Sequence, residues 1–467
     1  MGKILTNVKS KIRNSGLIRV YSPKTEHGKG RLCMLLNSIT AGLAGNLSGG
    51  LFYSGFLLEY GFNYSSISIL AIVPYFTILL TLVSPSLLER FRRRKYILAA
   101  TKLLVNLLNI IGITVLPTLF AKDDAGNIIN MSGMKMAFIA ITLAANVINT
   151  LFSQGYTAWH ANFLPDDVRA DYVLSSSCIN SLITYSTVFV LSVITDNVRA
   201  TDPAHYLTLL TAMRYAAFVF SVIDVIVLML PHEYEYPKTV DKPKISDVFT
   251  LPFRDKPFLL TVVILISITF SQNIHAGYVD TYVLDTIEIP YSLTNGINAL
   301  YFAFFIFFGS ACKKFIAKNT WFRALGLILL FEGPSYILYS FIFPHAYVLY
   351  TSVRLWQHIG GVVRGTIVGA LIYVNLPESD RVNYLSFYSI MNSLSAMVAR
   401  LCGQFIFDKL PDFSFGGIQS PVSLLLFLAG VFEMLASVPC FLWLRTVTPK
   451  HLLDEYDARK RRKAEKI

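Results

Sequence analysis

Apolar runs of about 20 residues, the length an α-helix needs to cross roughly 30 Å of hydrocarbon, recur near 34–58, 64–88, 96–118, 135–160, 172–195 and 204–230. Six more follow at 258–284, 291–311, 320–342, 346–375, 384–407 and 421–445. Several are interrupted by Gly, Pro or a polar residue, and the best count is twelve spans. The longest interruption is the hydrophilic stretch 231–257, rich in Lys, Asp and Pro, which divides six spans from six.

The second six repeat the first in one legible place. LPDDVRADYVLSSSCINSL, at 164–182, returns as LPESDRVNYLSFYSIMNSL at 376–394, with Leu, Pro, Arg, Tyr, Ser, Asn, Ser and Leu at the same spacing. The copies lie in the loops between spans 4 and 5 and between spans 10 and 11, which share one orientation, as doubling of a six-span unit requires. The expected organisation is a basic N-terminal segment at 1–31, a six-helix bundle at 32–230, a central loop at 231–257, a second six-helix bundle at 258–445 and a basic tail at 446–467.

Composition turns this pattern into a membrane protein. The mean hydropathy is +0.52, and 54% hydrophobic against 15% charged residues lies outside the range of water-soluble domains of this length. A net charge of +12 raises the question of nucleic acid, but the 41 Lys and Arg fall almost wholly on one side of the alternating topology. Lys122, Lys135, Arg199 and Lys409 are the exceptions on the other side, and five more cations lie within the spans. By the positive-inside rule both termini are cytoplasmic, in what is expected to be the plasma (inner) membrane. No nucleic-acid motif accompanies the charge. In the N-terminal segment, Ile4, Leu5, Val8 and Ile12 fall at helical spacing among basic residues, which suits a helix lying on an anionic bilayer surface. The five cysteines have no metal-ligand or redox spacing. No metal or other cofactor is expected, and the chain is expected to act as a monomer.

The repeated loop has a structural logic. Pro165 and Pro377 end one helix, and the acids behind them charge-match the N-terminus of the next. The pattern LP-acid-x-x-R-x-x-Y in both loops, on twelve spans with a long central loop, resembles the major facilitator superfamily. The loop between spans 2 and 3, Pro85-Ser86-Leu87-Leu88-Glu89-Arg90-Phe91-Arg92-Arg93-Arg94, is similar to that family's G-x-x-x-D-R-x-G-R-R, with Pro85 and Arg92 in place of glycines and Glu89 in place of Asp. The resemblance implies an all-α membrane protein with twelve transmembrane helices in two pseudo-symmetric six-helix bundles. It also implies gating roles for Glu89, Arg90, Arg93, Arg169 and Arg381, with spans 1, 4, 7 and 10 lining a central cavity.

The side chains allow an independent reading of those four spans. Asn146, Asn149, Ser153, Tyr156 and His160 form one polar stripe on span 4; Ser267, Ser271, His275, Tyr278 and Tyr282 form another on span 7. Span 10 carries Arg354, Gln357, His358 and Arg364 along one side, and span 1 offers Asn46 among glycines. Solute-binding candidates are therefore Asn46, Asn146, Asn149, Tyr156, His275, Tyr278, Gln357, His358 and Arg364. An arginine at mid-bilayer costs about 3 kcal/mol on insertion scales. Arg364 therefore faces water, a substrate or a partner, a structural ion pair being the alternative. Arg354 and Lys102 lie close enough to span ends to snorkel. Glu332, Glu433, Arg214 and Asp224, on spans 9, 12 and 6, are expected to pair among themselves.

These residues point to a secondary transporter of a small polar or anionic organic solute, such as a sugar, a sugar derivative or an organic anion. Arg offers carboxylates and phosphates a bidentate fork. A proton or another ion is a possible coupling partner, with His275 or His358 as the titratable group. The alternatives are a multispanning enzyme, such as an acyltransferase using His160 or His358 as base, and a non-transporting sensor of the same fold. With no nucleotide loop, metal cluster or Ser-His-Asp constellation in the sequence, catalysis is not expected.

Overall fold

The computed structural model describes residues 20–458 apart from 22, 23, 89, 92, 125–127, 162, 165, 234–244, 378, 379, 451 and 455. The N-terminal amphipathic segment and Glu89 thus lie outside the described residues. The principal helices are α1 (Glu26–Ser48), α2 (Gly50–Glu59), α3 (Tyr64–Ile72), α4 (Lys95–Asn106), α5 (Met131–Ala161), α6 (Asp166–Thr201) and α7 (Tyr206–Leu228). They continue as α8 (Lys256–Asn273), α9 (Tyr291–Asn319), α10 (Trp321–Tyr339), α11 (Tyr347–Val374), α12 (Arg381–Lys409) and α13 (Pro421–Leu442). Among the described residues, nine helical segments are long and apolar enough to cross a membrane. The first, eighth and tenth expected spans are helical as well, as α1 with α2, α9 and α11. Of these, α11 carries Arg354 and Arg364 within its span.

The chain forms two compact units, one of Met1–Phe62 with Leu79–Val240, the other of Asn63–Ile78 with Asp241–Ile467. In the first, α1 packs on α7 and α6, and α4 packs on α5. Its core holds Met34, Leu88, Leu98, Trp159, Phe163 and Leu228. Two local departures from α geometry leave carbonyls free in this core. The chain breaks at Gly49 between α1 and α2, and Leu107–Gly112 winds as a π-helix. Arg214 of α7, only 2% exposed, takes up the released groups. Its Nη1 donates to Ser48 O at 2.9 Å, its Nη2 to Asn109 O at 2.9 Å and its Nε to Thr114 Oγ1 at 2.7 Å. The guanidinium also covers Tyr53 and Phe56, at 5.1 and 4.9 Å from the ring centres. The expected pairing of Arg214 with a carboxylate is corrected: backbone carbonyls and aromatic faces hold this cation.

In the second unit, α13 packs on α10 and α8, and α11 packs on α10 and α9. Residues 63–78, which the hydrophobic pattern assigns to the second span, are bound inside it. Tyr64 Oη lies 2.6 Å from Thr286 Oγ1, Gln404 Nε2 donates to Ser65 Oγ at 2.5 Å, and Arg400 Nη1 donates to Ala71 O at 3.3 Å.

The expected seventh span is not one continuous helix. α8 ends at Asn273, residues 274–278 form a turn, and a short helix begins at Val279. Close approach of neighbouring elements fits the break. A Cβ on Gly277 would stand 2.7 Å from Ser68 Oγ, and one on Gly403 only 2.1 Å from Ile274 O. The stripe that runs from Ser267 to Tyr282 in the sequence therefore divides, with Ser271 on the helix and His275 and Tyr278 on the turn.

Candidate functional site

The second unit gathers most of the polar side chains that the sequence singles out. Its centre is an ion pair made possible by glycines. A Cβ on Gly430 would stand 2.6 Å from Gly333 O, so α13 and α10 meet backbone to backbone. That contact brings Glu433 and Glu332, each 1% exposed, to the same place. Gly360 of α11 leaves room for the Glu332 side chain, whose atoms would lie 3.1–3.2 Å from an added Cβ. Arg364, one turn further along α11, donates through Nε to Glu332 Oε2 at 2.8 Å and through Nη2 to Glu332 Oε1 at 3.1 Å. Its Nε also lies 3.7 Å from Glu433 Oε1. Ser271 donates its hydroxyl to Glu433 Oε2. Arg364 thus has carboxylate partners from spans 9 and 12, the two carboxylates expected to pair with other residues of the outer spans.

Beyond this triad lies a second set of polar groups. Arg354 is bonded through Nη1 to Gln357 Oε1 at 2.8 Å and through Nη2 to Asn298 Oδ1 of α9 at 3.0 Å. The expected snorkelling of Arg354 is therefore corrected, because both of its terminal nitrogens are held by side chains of the same unit. The His358 ring stands 5.3 Å from that of Tyr301, and the His275 ring 5.3 Å from that of Tyr336, one turn beyond Glu332 on α10. Arg354 is within electrostatic reach of both imidazoles. Several polar atoms here are buried with no hydrogen-bond partner: Arg354 Nε, Gln357 Nε2, His358 Nε2, His275 Nδ1 and Tyr339 Oη. Buried polar groups are normally satisfied, so a group of orphans within one unit marks a place that water or a solute completes. The broken helix at 274–278 adds to this. Irregular backbone at membrane depth is tolerated where it is buried in protein or lines a cavity.

The remaining expected solute ligands are placed differently. Tyr278 donates to Gln404 Oε1 at 2.8 Å and stacks on Phe407, so its hydroxyl braces α12. In the first unit, Asn46 and Asn146 donate to carbonyls of their own helices, Gly42 O and Thr142 O, each at 2.8 Å. Asn149 is exposed. Tyr156 donates to Leu98 O at 2.7 Å and lies beneath Lys102, whose Nζ is 5.4 Å from the ring centre. That lysine does not snorkel, a further correction: its Nζ is 2.6 Å from Asp224 Oδ2, and Asn37 donates to the other carboxylate oxygen. A cavity of about 10 Å³, space for one water, lies among Asn37, Trp159, His160, Cys33 and Phe163. Trp159 Nε1 is buried there without a partner.

Of the expected gating residues, Arg90 and Arg93 are exposed between the second and third spans, and Arg381 is exposed at the first turn of α12. Arg169 falls in α6, with its side chain outside the described residues, as is all of Glu89. Asn298, Tyr301, Tyr336 and the two glutamates are site residues that lie off the four expected lining spans. Asn295, Asn298 and Tyr301 recur at helical spacing in the sequence, and that stripe on span 8 was the available signal.

Comparison with known proteins shows where this fold recurs. No family model matches the chain, and no curated protein matches it in sequence. Among solved structures, a D-xylose-proton symporter superposes with a TM-score of 0.67 at 13% identity, covering 91% of this chain and 99% of that one. An inward-open conformation of the xylose transporter XylE from E. coli gives 0.62 at 14% identity, over 92% and 98%. A mutant of the nucleoside transporter NupG gives 0.63 at 9% identity, over 88% and 99%. Together with the apolar spans, these matches make the chain an integral membrane protein with the fold of major facilitator superfamily transporters.

Proposed function

We propose that the chain is a secondary active transporter that moves a small polar or anionic organic solute across the membrane by alternating access. One observation carries the reading: the second unit holds side-chain nitrogens of Arg354, Gln357, His358 and His275 that are buried without a hydrogen-bond partner. Arg354 Nε and Gln357 Nε2 are donors, and a molecule rich in acceptors that enters would satisfy them, each such bond being worth about 1–3 kcal/mol against leaving the group unmet. A sugar, a sugar derivative or an organic anion supplies such acceptors, and the xylose transporters among the structural neighbours work on one of these classes. Ion-coupled symport, with a proton as the ion, is the mode we favour. Arg90, Arg93 and Arg381 act as electrostatic latches that bias one access state, and both termini lie in the cytoplasm of a monomer in the plasma (inner) membrane.

The test is a melting screen of the purified full-length protein against free sugars, phosphorylated sugars and carboxylates, followed by uptake of any stabilising compound into proteoliposomes. Stabilisation and accumulation are expected, because a ligand raises the melting temperature of the state it binds. A compound converted to product without accumulating would move the assignment to an enzyme. Stabilisation without accumulation would move it to a sensor.

A further inference from the structure

We propose that Glu433 carries one exchangeable proton, held in the buried triad that it forms with Glu332 and Arg364. Its use as the coupling site rests on the transport reading above, whereas the proton count does not.

The argument is a count of charges in a closed space. Two carboxylates, each 1% exposed, share one guanidinium. Fully ionised, they leave one uncompensated negative charge, and burying such a charge costs several kcal/mol. A buried group in that position neutralises itself instead. The geometry decides which carboxylate takes the proton. Glu332 receives two guanidinium hydrogen bonds, at 2.8 and 3.1 Å, the fork-to-fork arrangement of a charge-assisted pair. Glu433 accepts the Ser271 hydroxyl on Oε2 and has Gln272 beside it, while its buried Oε1 stands 3.7 Å from Arg364 Nε, too far for a hydrogen bond. The vacant oxygen is the proton's place: the carboxylate takes up H⁺ as an O–H bond, and the triad becomes neutral.

Among the described residues, no further cation competes for the role. From α10, Glu433 is faced by Glu332 and by the Tyr336 hydroxyl; from α11, by Arg364; and from α8, by Ser271 and Gln272. His275, one turn beyond Ser271, faces Tyr336. Arg354 is taken up by Gln357 and Asn298. α12 brings Arg400, which is bonded to Asn273 Oδ1 and Ala71 O, and the short helix Leu444–Val447 brings only the exposed Arg445. The position also suits coupling. Ser271 lies one turn before the break at 274–278, and Arg364 lies on the helix that supplies Gln357 and His358. Protonation at Glu433 is therefore felt by both elements that carry the unmet donors.

The experiment needs no solute. Full-length protein in lipid bilayers is titrated while its infrared spectrum is followed for the carbonyl stretch of a protonated carboxylic acid. The wild type is expected to show one such group that persists at neutral pH. Glu433→Gln and Glu332→Gln each leave one carboxylate for one guanidinium, so both are expected to lose the band. Arg364→Gln removes the only cation and is expected to double it. The proposal is overturned if the wild type shows no band, if Glu433→Gln retains it in full, or if added Na⁺ abolishes it at fixed pH, which would make the site one for sodium. Should one glutamine variant fail to fold, the other and the wild-type titration still decide.

Discussion

Gly430 lies so close to Gly333 that a Cβ built on it would stand 2.6 Å from the Gly333 carbonyl oxygen and 2.9 Å from Ile337 N. Backbone atoms cannot move aside as a flexible side chain can. Close approach through small residues is how membrane helices gain packing without a hydrophobic driving force. Gly430→Ala is therefore expected to cost about 1–3 kcal/mol by overpacking, read as a lower melting temperature of the purified protein. Gly369→Ala, where nothing lies within 4 Å of the added methyl, is the control and should be neutral or stabilising. Equal effects at the two positions would show that the α10–α13 contact is looser than described.

The ion pair of Lys102 and Asp224 is unequal in its surroundings, since the lysine side chain is 21% exposed and the aspartate 2%. Removing the lysine strands a buried carboxylate with the neutral Asn37 amide and Thr40 hydroxyl left to support it. Lys102→Met is expected to destabilise by about 3–5 kcal/mol. Asp224→Asn leaves a cation whose flexible stem can carry it toward water, and its cost should be the smaller of the two. Chemical denaturation of both variants in detergent checks the order; the reverse order would mean that Lys102 is the more enclosed partner.

Arg214 tests whether backbone irregularity and a buried cation are built for one another. Its planar fork meets Ser48 O, Asn109 O and Thr114 Oγ1 together, which a lysine ammonium on a single point cannot do. Arg214→Lys keeps the charge but leaves buried carbonyls unmet, at about 1–3 kcal/mol for each group lost. Arg214→Leu should cost more than Arg214→Lys, since it also removes the cation over Tyr53 and Phe56. If lysine restores full thermal stability, charge alone holds this part of the first unit.

These relationships differ in how far the sequence reveals them. Helix positions are legible because an apolar run long enough to span a bilayer is a property of consecutive residues, and even the polar α11 keeps its place between α10 and α12. The break at 274–278 is not legible, because Ser267, Ser271, His275 and Tyr278 fit helical spacing, while the turn packs against Ser68 and Gly403, far away in the chain. Charge partners fail for the same reason. Lys102 sits where a lysine can snorkel, and only the packing of α4 on α7 brings it to Asp224. For Arg364 the sequence leaves both a ligand and an ion pair open, and the glycine contact between α10 and α13 supplies the carboxylates. Asn298 and Tyr301, by contrast, are legible as a polar stripe on span 8.

The donor set yields the most direct functional prediction. Gln357 receives a bond from Arg354 through Oε1 and leaves its Nε2 free, whereas Asn298 holds the far side of the same guanidinium. Gln357→Leu removes one of the unmet donors and also an acceptor of Arg354. Asn298→Leu removes an Arg354 acceptor alone and touches none of the unmet atoms. For a solute identified in the melting screen, Gln357→Leu should lower affinity by about 10-fold or more, the equivalent of roughly 1.4 kcal/mol. Asn298→Leu should act chiefly on the stability of the empty protein, because it leaves a buried cation short of one partner. Binding isotherms and melting curves for the two variants separate these effects. Unchanged affinity in Gln357→Leu, with stability lost in both, would assign the whole cluster to packing and take the solute away from α11.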